Sequence, residues 1–130
     1  MANHATYLEH ANVTVKDLDR SIDFYRELLD FEVRWRGTVS SGAPAAHVGG
    51  DHFYLALFEA TRDGEFDRDY DSPGLNHVGF VVDDLDDKRG RLAKWGIDTH
   101  LEGDYEPGRR LYFYDPNGLE VELVEYSGDA

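Results

Sequence analysis

His10-Ala-Asn-Val-Thr-Val-Lys-Asp-Leu-Asp19 is answered 67 residues later by His77-Val-Gly-Phe-Val-Val-Asp-Asp-Leu-Asp86, with His, Val, Asp, Leu and Asp at matched positions. A repeat of this length points to two copies of one supersecondary unit. Each copy opens with a strand-like run. In the first, Ala11, Val13 and Val15 form one face, while His10, Asn12 and Thr14 point the other way. Both histidines therefore stand at the start of a strand, on its more polar side.

Each run leads into an acidic segment in which Asp17 or Asp19, and Asp84 or Asp86, can cap a helix by accepting from its free amides. Leu18, Ile22, Tyr25, Leu28 and Leu29 then recur at helical spacing, as do Leu85, Leu92 and Trp95. Gly96-Ile97 suits a left-handed C-cap with an apolar clasp. Three strands follow each helix: Phe31–Thr38, Ala45–Val48 and His52–Phe58, then Asp98–Glu102, Arg110–Tyr114 and Glu120–Glu125, the last pair joined by the turn Asp115-Pro-Asn-Gly118. The reading is α+β: two βαβββ modules, residues 7–60 and 74–126, in a single domain spanning 1–130. They form a cupped mixed sheet with the helices outside, joined by a polar surface linker at 61–73.

Composition narrows the functional classes. A length of 130 residues with 41% hydrophobic residues supports one core. The longest apolar runs are strand-length, far below the roughly 20 residues of a membrane-spanning helix. The N-terminus has neither the basic start nor the apolar stretch of a signal peptide, so the expected location is the cytoplasm. Without cysteine there is no thiolate nucleophile or ligand, and metal ligands must be nitrogen or oxygen. A net charge of −14 repels nucleic-acid backbones and anionic membranes, which removes both as expected partners. Lysine occurs only three times, and the balance resembles that of halophilic archaeal proteins.

Superposing Val121-Glu122-Leu123-Val124-Glu125 on Leu55-Ala56-Leu57-Phe58-Glu59 sets Glu122 against Ala56. If two modules pack about a pseudo-twofold axis, His10 and His77 can converge, Glu122 can join them, and Ala56 leaves a fourth position open. Two imidazoles and a carboxylate with open positions suit a divalent ion that also takes substrate or water. Such an ion can polarise a carbonyl or epoxide oxygen, acidify water, or bind dioxygen beside a chelated substrate if ferrous.

The stretches His10–Tyr25, Asn76–Val82 and Leu111-Tyr-Phe-Tyr-Asp-Pro-Asn-Gly-Leu-Glu-Val-Glu-Leu123 resemble the vicinal oxygen chelate superfamily over nearly the whole chain. Glyoxalase I, extradiol dioxygenases, fosfomycin-resistance enzymes and the metal-free bleomycin-binding proteins belong to it. The resemblance implies metal ligands at His10, His77 and Glu122, one divalent ion (Fe, Mn, Ni, Co or Zn), a small-molecule substrate with vicinal oxygens, and a homodimer. The usual fourth ligand of glyoxalase I falls at or near Ala56, which cannot coordinate, unless water or a side chain such as Glu59 fills the place. The three-ligand set looks more like the dioxygenases and fosfomycin enzymes. Tyr112 occupies the tyrosine position of the extradiol signature, although that signature's upstream histidine is missing and His100 lies too far back. The alternative implied is metal-free sequestration of a small aromatic compound.

Strand alternation puts Glu120 on the same side as Glu122, so the choice of ligand between them rests on the resemblance. Tyr112 is the expected catalytic acid, with Tyr114 beside it as a second donor. Arg109 and Arg110 are candidates to clamp an anion, weighed against a surface ion pair. His4, His47, His52 and His100 are expected to face solvent, with His47 or His52 able to line a cavity, and Phe31, Trp35, Phe53, Tyr54 and Phe58 are expected mostly in the core, with one or two lining a pocket.

The charge excess carries a testable consequence. Carboxylate repulsion acts over about 10 Å in 0.1 M salt and about 3 Å in 1 M. The melting temperature should therefore rise steadily as KCl is raised from about 0.1 M to about 1 M, read by circular dichroism, and an unchanged value would remove the halophilic reading.

Overall fold

The protein, examined as a computed structural model, is described over residues 6–66, 69–105 and 108–126. The elements run β1 (His10–Val15), α1 (Leu18–Leu29), β2 (Glu32–Thr38), β3 (Pro44–Gly49) and β4 (Tyr54–Glu59), then β5 (Val78–Val81), α2 (Leu85–Lys94), β6 (Thr99–Tyr105), β7 (Gly108–Tyr114) and β8 (Glu120–Tyr126). This is the repeated βαβββ order expected from the sequence. Strands hydrogen-bond within each half, giving two four-stranded mixed sheets in the orders β1-β4-β3-β2 and β5-β8-β7-β6. The chain divides into two compact units between Asp63 and Gly64, inside the segment read as a linker.

In the first module β1 lies parallel to β4, with His10 opposite Tyr54 and Asn12 opposite Ala56. Val13 and Val15 turn to the buried face, while His10, Asn12 and Thr14 remain exposed. Helix α1 packs on β3 and β4. It buries Leu18, Ile22, Phe24, Tyr25 and Leu28, so the buried stripe includes Phe24, which the spacing argument had omitted, and leaves Leu29 only half-buried. Each fully buried side chain of this size contributes about 1.5–3 kcal/mol from leaving water, and this packing, more than helix propensity, holds α1. Trp35 and Phe53 depart from the expected core: both are exposed, 41% and 37%. Trp35 stands on the sheet face that α1 does not cover.

The second module repeats the plan. β5 lies parallel to β8, with Val78 opposite Val121 and Gly79 opposite Glu122. Asp17 and Asp84 are the capping residues, accepting from the amides of Arg20 and Asp87. Helix α2 ends as the sequence implies: Gly96 takes a left-handed φ of 69°, and the Ile97 amide donates to Leu92 O at 3.0 Å.

A second cap, not visible in the local sequence, ties each helix to its sheet. Glu59 at the end of β4 accepts from the Leu18 amide at 2.9 Å, and Glu125 on β8 accepts from the Leu85 amide at 2.8 Å. These are repeat-related carboxylates on the first free amides of α1 and α2, where the helix dipole favours negative charge. Glu59 is thereby engaged in a cap, which removes the reason for considering it as a stand-in ligand for Ala56. Glu59→Ala and Glu125→Ala should each cost about 1 kcal/mol in urea unfolding, with the glutamine variants losing less because an amide oxygen still accepts.

Candidate metal centre

Module two carries the densest polar constellation. His77 stands just before β5, and Glu122 projects from β8 with 10% of its side chain exposed. The parallel register brings His77 Nε2 to 3.0 Å from Glu122 Oε1. Gly79 lies opposite Glu122, and a Cβ there would make only an ordinary contact, 3.8 Å from the same carboxylate oxygen. Arg110 on β7 donates from Nη1 to Glu122 Oε2 at 2.9 Å, which fixes the plane of the carboxylate and leaves Oε1 toward His77.

The other nitrogen of His77, Nδ1, lies 2.7 Å from Asn76 Oδ1. Both ring nitrogens therefore face oxygen acceptors. A neutral imidazole carries one N–H, so with Nδ1–H donating to Asn76 the Nε2 lone pair is aimed at a carboxylate. A cation shared by the two resolves that opposition, as does a ring that donates from Nε2 to Glu122 while the Asn76 amide turns its NH2 to Nδ1. Two donors about 2.1 Å from one ion and at right angles stand about 3.0 Å apart, so the observed spacing fits a shared divalent ion. Among the described residues no group of three or more His, Asp or Glu is gathered into a metal-holding cluster.

Tyr112 lies opposite Glu122 across the β7–β8 ladder, with its ring 5.4 Å from His77 and edge-on at 73°. Glu120, one pleat along β8, is 8% exposed and not the solvated carboxylate that alternation alone allowed. It accepts from Tyr70 Oη at 2.7 Å and lies 2.6 Å from His100 Nε2, and His100 stacks on Tyr114 at 4.1 Å. Burial pushes the Glu120 carboxyl up, but the contacts with His100 and Tyr70 outweigh it and hold the group below its ordinary value. Burial first, and Glu120 second, raise the Tyr70 phenol. Sequence reasoning missed this cluster because it joins β6, β8 and the linker. The expectation that His100 faces solvent is corrected: its side chain is 30% exposed and engaged.

Module one presents a different face. His10 opens β1 with Nδ1 2.9 Å from Glu9 Oε1. Its ring stacks on Tyr54 at 4.9 Å, Tyr54 on His47 at 4.4 Å, and His47 meets Trp35 at 4.9 Å, so four rings cross all four strands. His47 is half-buried, and desolvation depresses its basicity. Hydrogen bonds from His10 and Tyr54 hold the Glu9 carboxyl below its usual range. Arg109, one residue from Arg110, points to the opposite sheet face and pairs with Asp86 at 3.0 Å, which makes it an ion-pair residue and not an anion clamp.

The chain matches the Glyoxalase/Bleomycin resistance protein/Dioxygenase superfamily over residues 7–123 and belongs to it. It is 29% identical to Metapyrocatechase 2 of Cupriavidus necator over 94% of this chain, and spans 36% of that protein's length. It is 27% identical to Metallothiol transferase FosB of Staphylococcus epidermidis, covering 91% of this chain and 80% of that one. A solved glyoxylase/bleomycin resistance protein/dioxygenase domain from Frankia sp. EAN1pec aligns with a TM-score of 0.82 at 28% identity, covering 98% of this chain and 96% of its own.

The Glu120 cluster gives a pH prediction with a fixed sign. Its folded-state pKa lies below the unfolded value of about 4.3, so its stabilisation is complete above about pH 5 and is lost as pH falls through the folded value. Glu120→Gln should lower stability by about 1 kcal/mol at pH 7, and the native and variant urea midpoints should converge as the pH approaches about 3.

Proposed function

We propose that the chain is a divalent-metal-dependent enzyme acting on a small substrate with two adjacent oxygens, and that His77, Glu122 and His10 are the ion's protein ligands. The observation that carries this reading is the 3.0 Å approach of His77 Nε2 to Glu122 Oε1, with Nδ1 already facing Asn76 and Oε2 already held by Arg110. His10, the repeat-related histidine that opens β1, is the third donor in this reading. Ala56, which lies at the position equivalent to Glu122, donates nothing, so a three-ligand set leaves places for both substrate oxygens.

A bound ion would supply Lewis acidity toward a substrate oxygen or toward water. The chain's own residues do the rest. Arg110 keeps the Glu122 carboxylate in one orientation. Tyr112, against the His77 ring, is placed to donate its phenolic proton to an oxygen of a substrate seated there. Its role is that of an acid, a hydroxyl donor toward the substrate oxygen. The relatives bear names from different chemistries, metapyrocatechase and metallothiol transferase, so membership leaves the reaction open.

The four-ring row of module one supports a second reading, capture of a flat aromatic compound without metal. Elemental analysis of protein purified anaerobically in high salt separates the two. About one equivalent of metal, lost in His77→Ala and Glu122→Ala, is the expected result. Tyr112→Phe should then keep the metal and lose activity on whichever catechol, epoxide or hemithioacetal proves to be turned over. Mixing His10→Ala with His77→Ala should restore partial metal binding if donors come from two copies. A native protein that takes up no metal after reconstitution would leave the ring-binding reading.

A further inference from the structure

Module two holds two pairs of histidine and carboxylate on one sheet face, and they are built differently. Glu120 and Glu122 are alternate residues of β8, so their side chains leave the same face about 6.8 Å apart. The Tyr112 ring neighbours both histidines, 5.4 Å from His77 and 6.3 Å from His100. Glu122 keeps Oε1 toward His77 at 3.0 Å, a spacing that fits two donors on one ion. Glu120 has both oxygens taken: Oε1 accepts from Tyr70 Oη at 2.7 Å, and Oε2 lies 2.6 Å from His100 Nε2, the length of a direct charge-assisted hydrogen bond. We propose that Tyr70 and His100 are positioning residues that hold Glu120 off the ion at Glu122, and so keep a coordination place open for substrate.

The physical case begins with reach. Alternate residues on a strand stand close enough for two side chains of glutamate length to meet one ion between them. A second carboxylate would add a negative charge there, which strengthens retention of the ion, weakens its pull on a substrate oxygen and fills a place that oxygen needs. Glu120 is only 8% exposed, so without partners its carboxylate could not turn to water, and a cation beside Glu122 would draw it in. Two partners from separate segments prevent this. His100, on β6, is packed against Tyr114 with ring centroids 4.1 Å apart and planes within 9°. Tyr70 lies ahead of β5, in a turn held by Asp69, which accepts from the Asp71 amide at 3.0 Å and from Ser72 Oγ at 2.8 Å.

The inference rests on the metal-binding reading, and the experiment keeps the two apart. Co(II) affinity of the full-length protein is measured by chelator competition, with the visible absorption of the bound ion recorded. Acetohydroxamate, which offers two adjacent oxygens, then titrates the open places. Tyr70→Phe combined with His100→Ala should bind Co(II) about tenfold more tightly and acetohydroxamate about tenfold more weakly, with a changed cobalt spectrum. Tyr70→Phe alone, which keeps the ring and its packing, should move both in the same directions by a smaller factor. Adding Glu120→Gln to the double variant should return both affinities to within about twofold of native, a rescue that a merely loosened fold would not show. Three results, each with Glu122→Ala still losing the ion, would overturn the inference and leave the metal site standing: a double variant that binds both probes as native does, one whose changes Glu120→Gln does not reverse, or a native-background Glu120→Gln that itself loses Co(II). A native chain that takes up no Co(II) would overturn both.

Discussion

Parallel pairing of the first strand of each module with its last is the constraint on which the rest depends. β1 can lie beside β4, and β5 beside β8, only after the chain has crossed through a helix and two antiparallel strands. The pairing sets the register that puts Gly79 opposite Glu122, and hence His77 within reach of that carboxylate. A slip of one residue would turn Glu122 to the helix-covered face, where Val121 and Leu123 are buried. The carboxylates that end β4 and β8 lock the same pairing from the other side by holding the first turns of α1 and α2.

The two modules share a backbone plan and have diverged in chemistry at equivalent positions. Where module two has Glu122, module one has Ala56. Where module two has Gly79, module one has Asn12, whose amide donates to Ala56 O. His47 in module one and Tyr112 in module two sit across the ladder from those same positions. One sheet thus presents a row of rings and the other a pair of clamped carboxylates. Charge follows the pleat: neighbouring Arg109 and Arg110 serve opposite faces, the first pairing with Asp86 outside and the second orienting Glu122.

In so acidic a chain the few cations are placed with care. Arg89 joins Asp86 to Glu102, and Arg91 pairs with Asp87 one turn earlier. Exposed pairs of this kind add little stability singly, and their effect here is to relieve local repulsion among carboxylates on α2 and β6. Arg110, 19% exposed, is turned inward to the Glu122 carboxylate.

The sequence by itself determined the repeat, both helices with a pair of candidate aspartate caps for each, the Gly96 stop and the eight strands to within about three residues. These are local or periodic features, written in side-chain spacing and turn chemistry. It also marked Glu122 as the position matching Ala56, because the strands around them share a pattern. Tertiary structure decided which carboxylates do what. Glu59, Glu120, Glu122 and Glu125 look alike in sequence, yet two cap helices, one joins Tyr70 to His100, and one meets His77 and Arg110. Trp35 and Phe53 read as core by type alone and proved exposed. In each case the deciding partner lies tens of residues away on a paired strand, and only strand register, set by the closing of the whole sheet, determines which side chains meet.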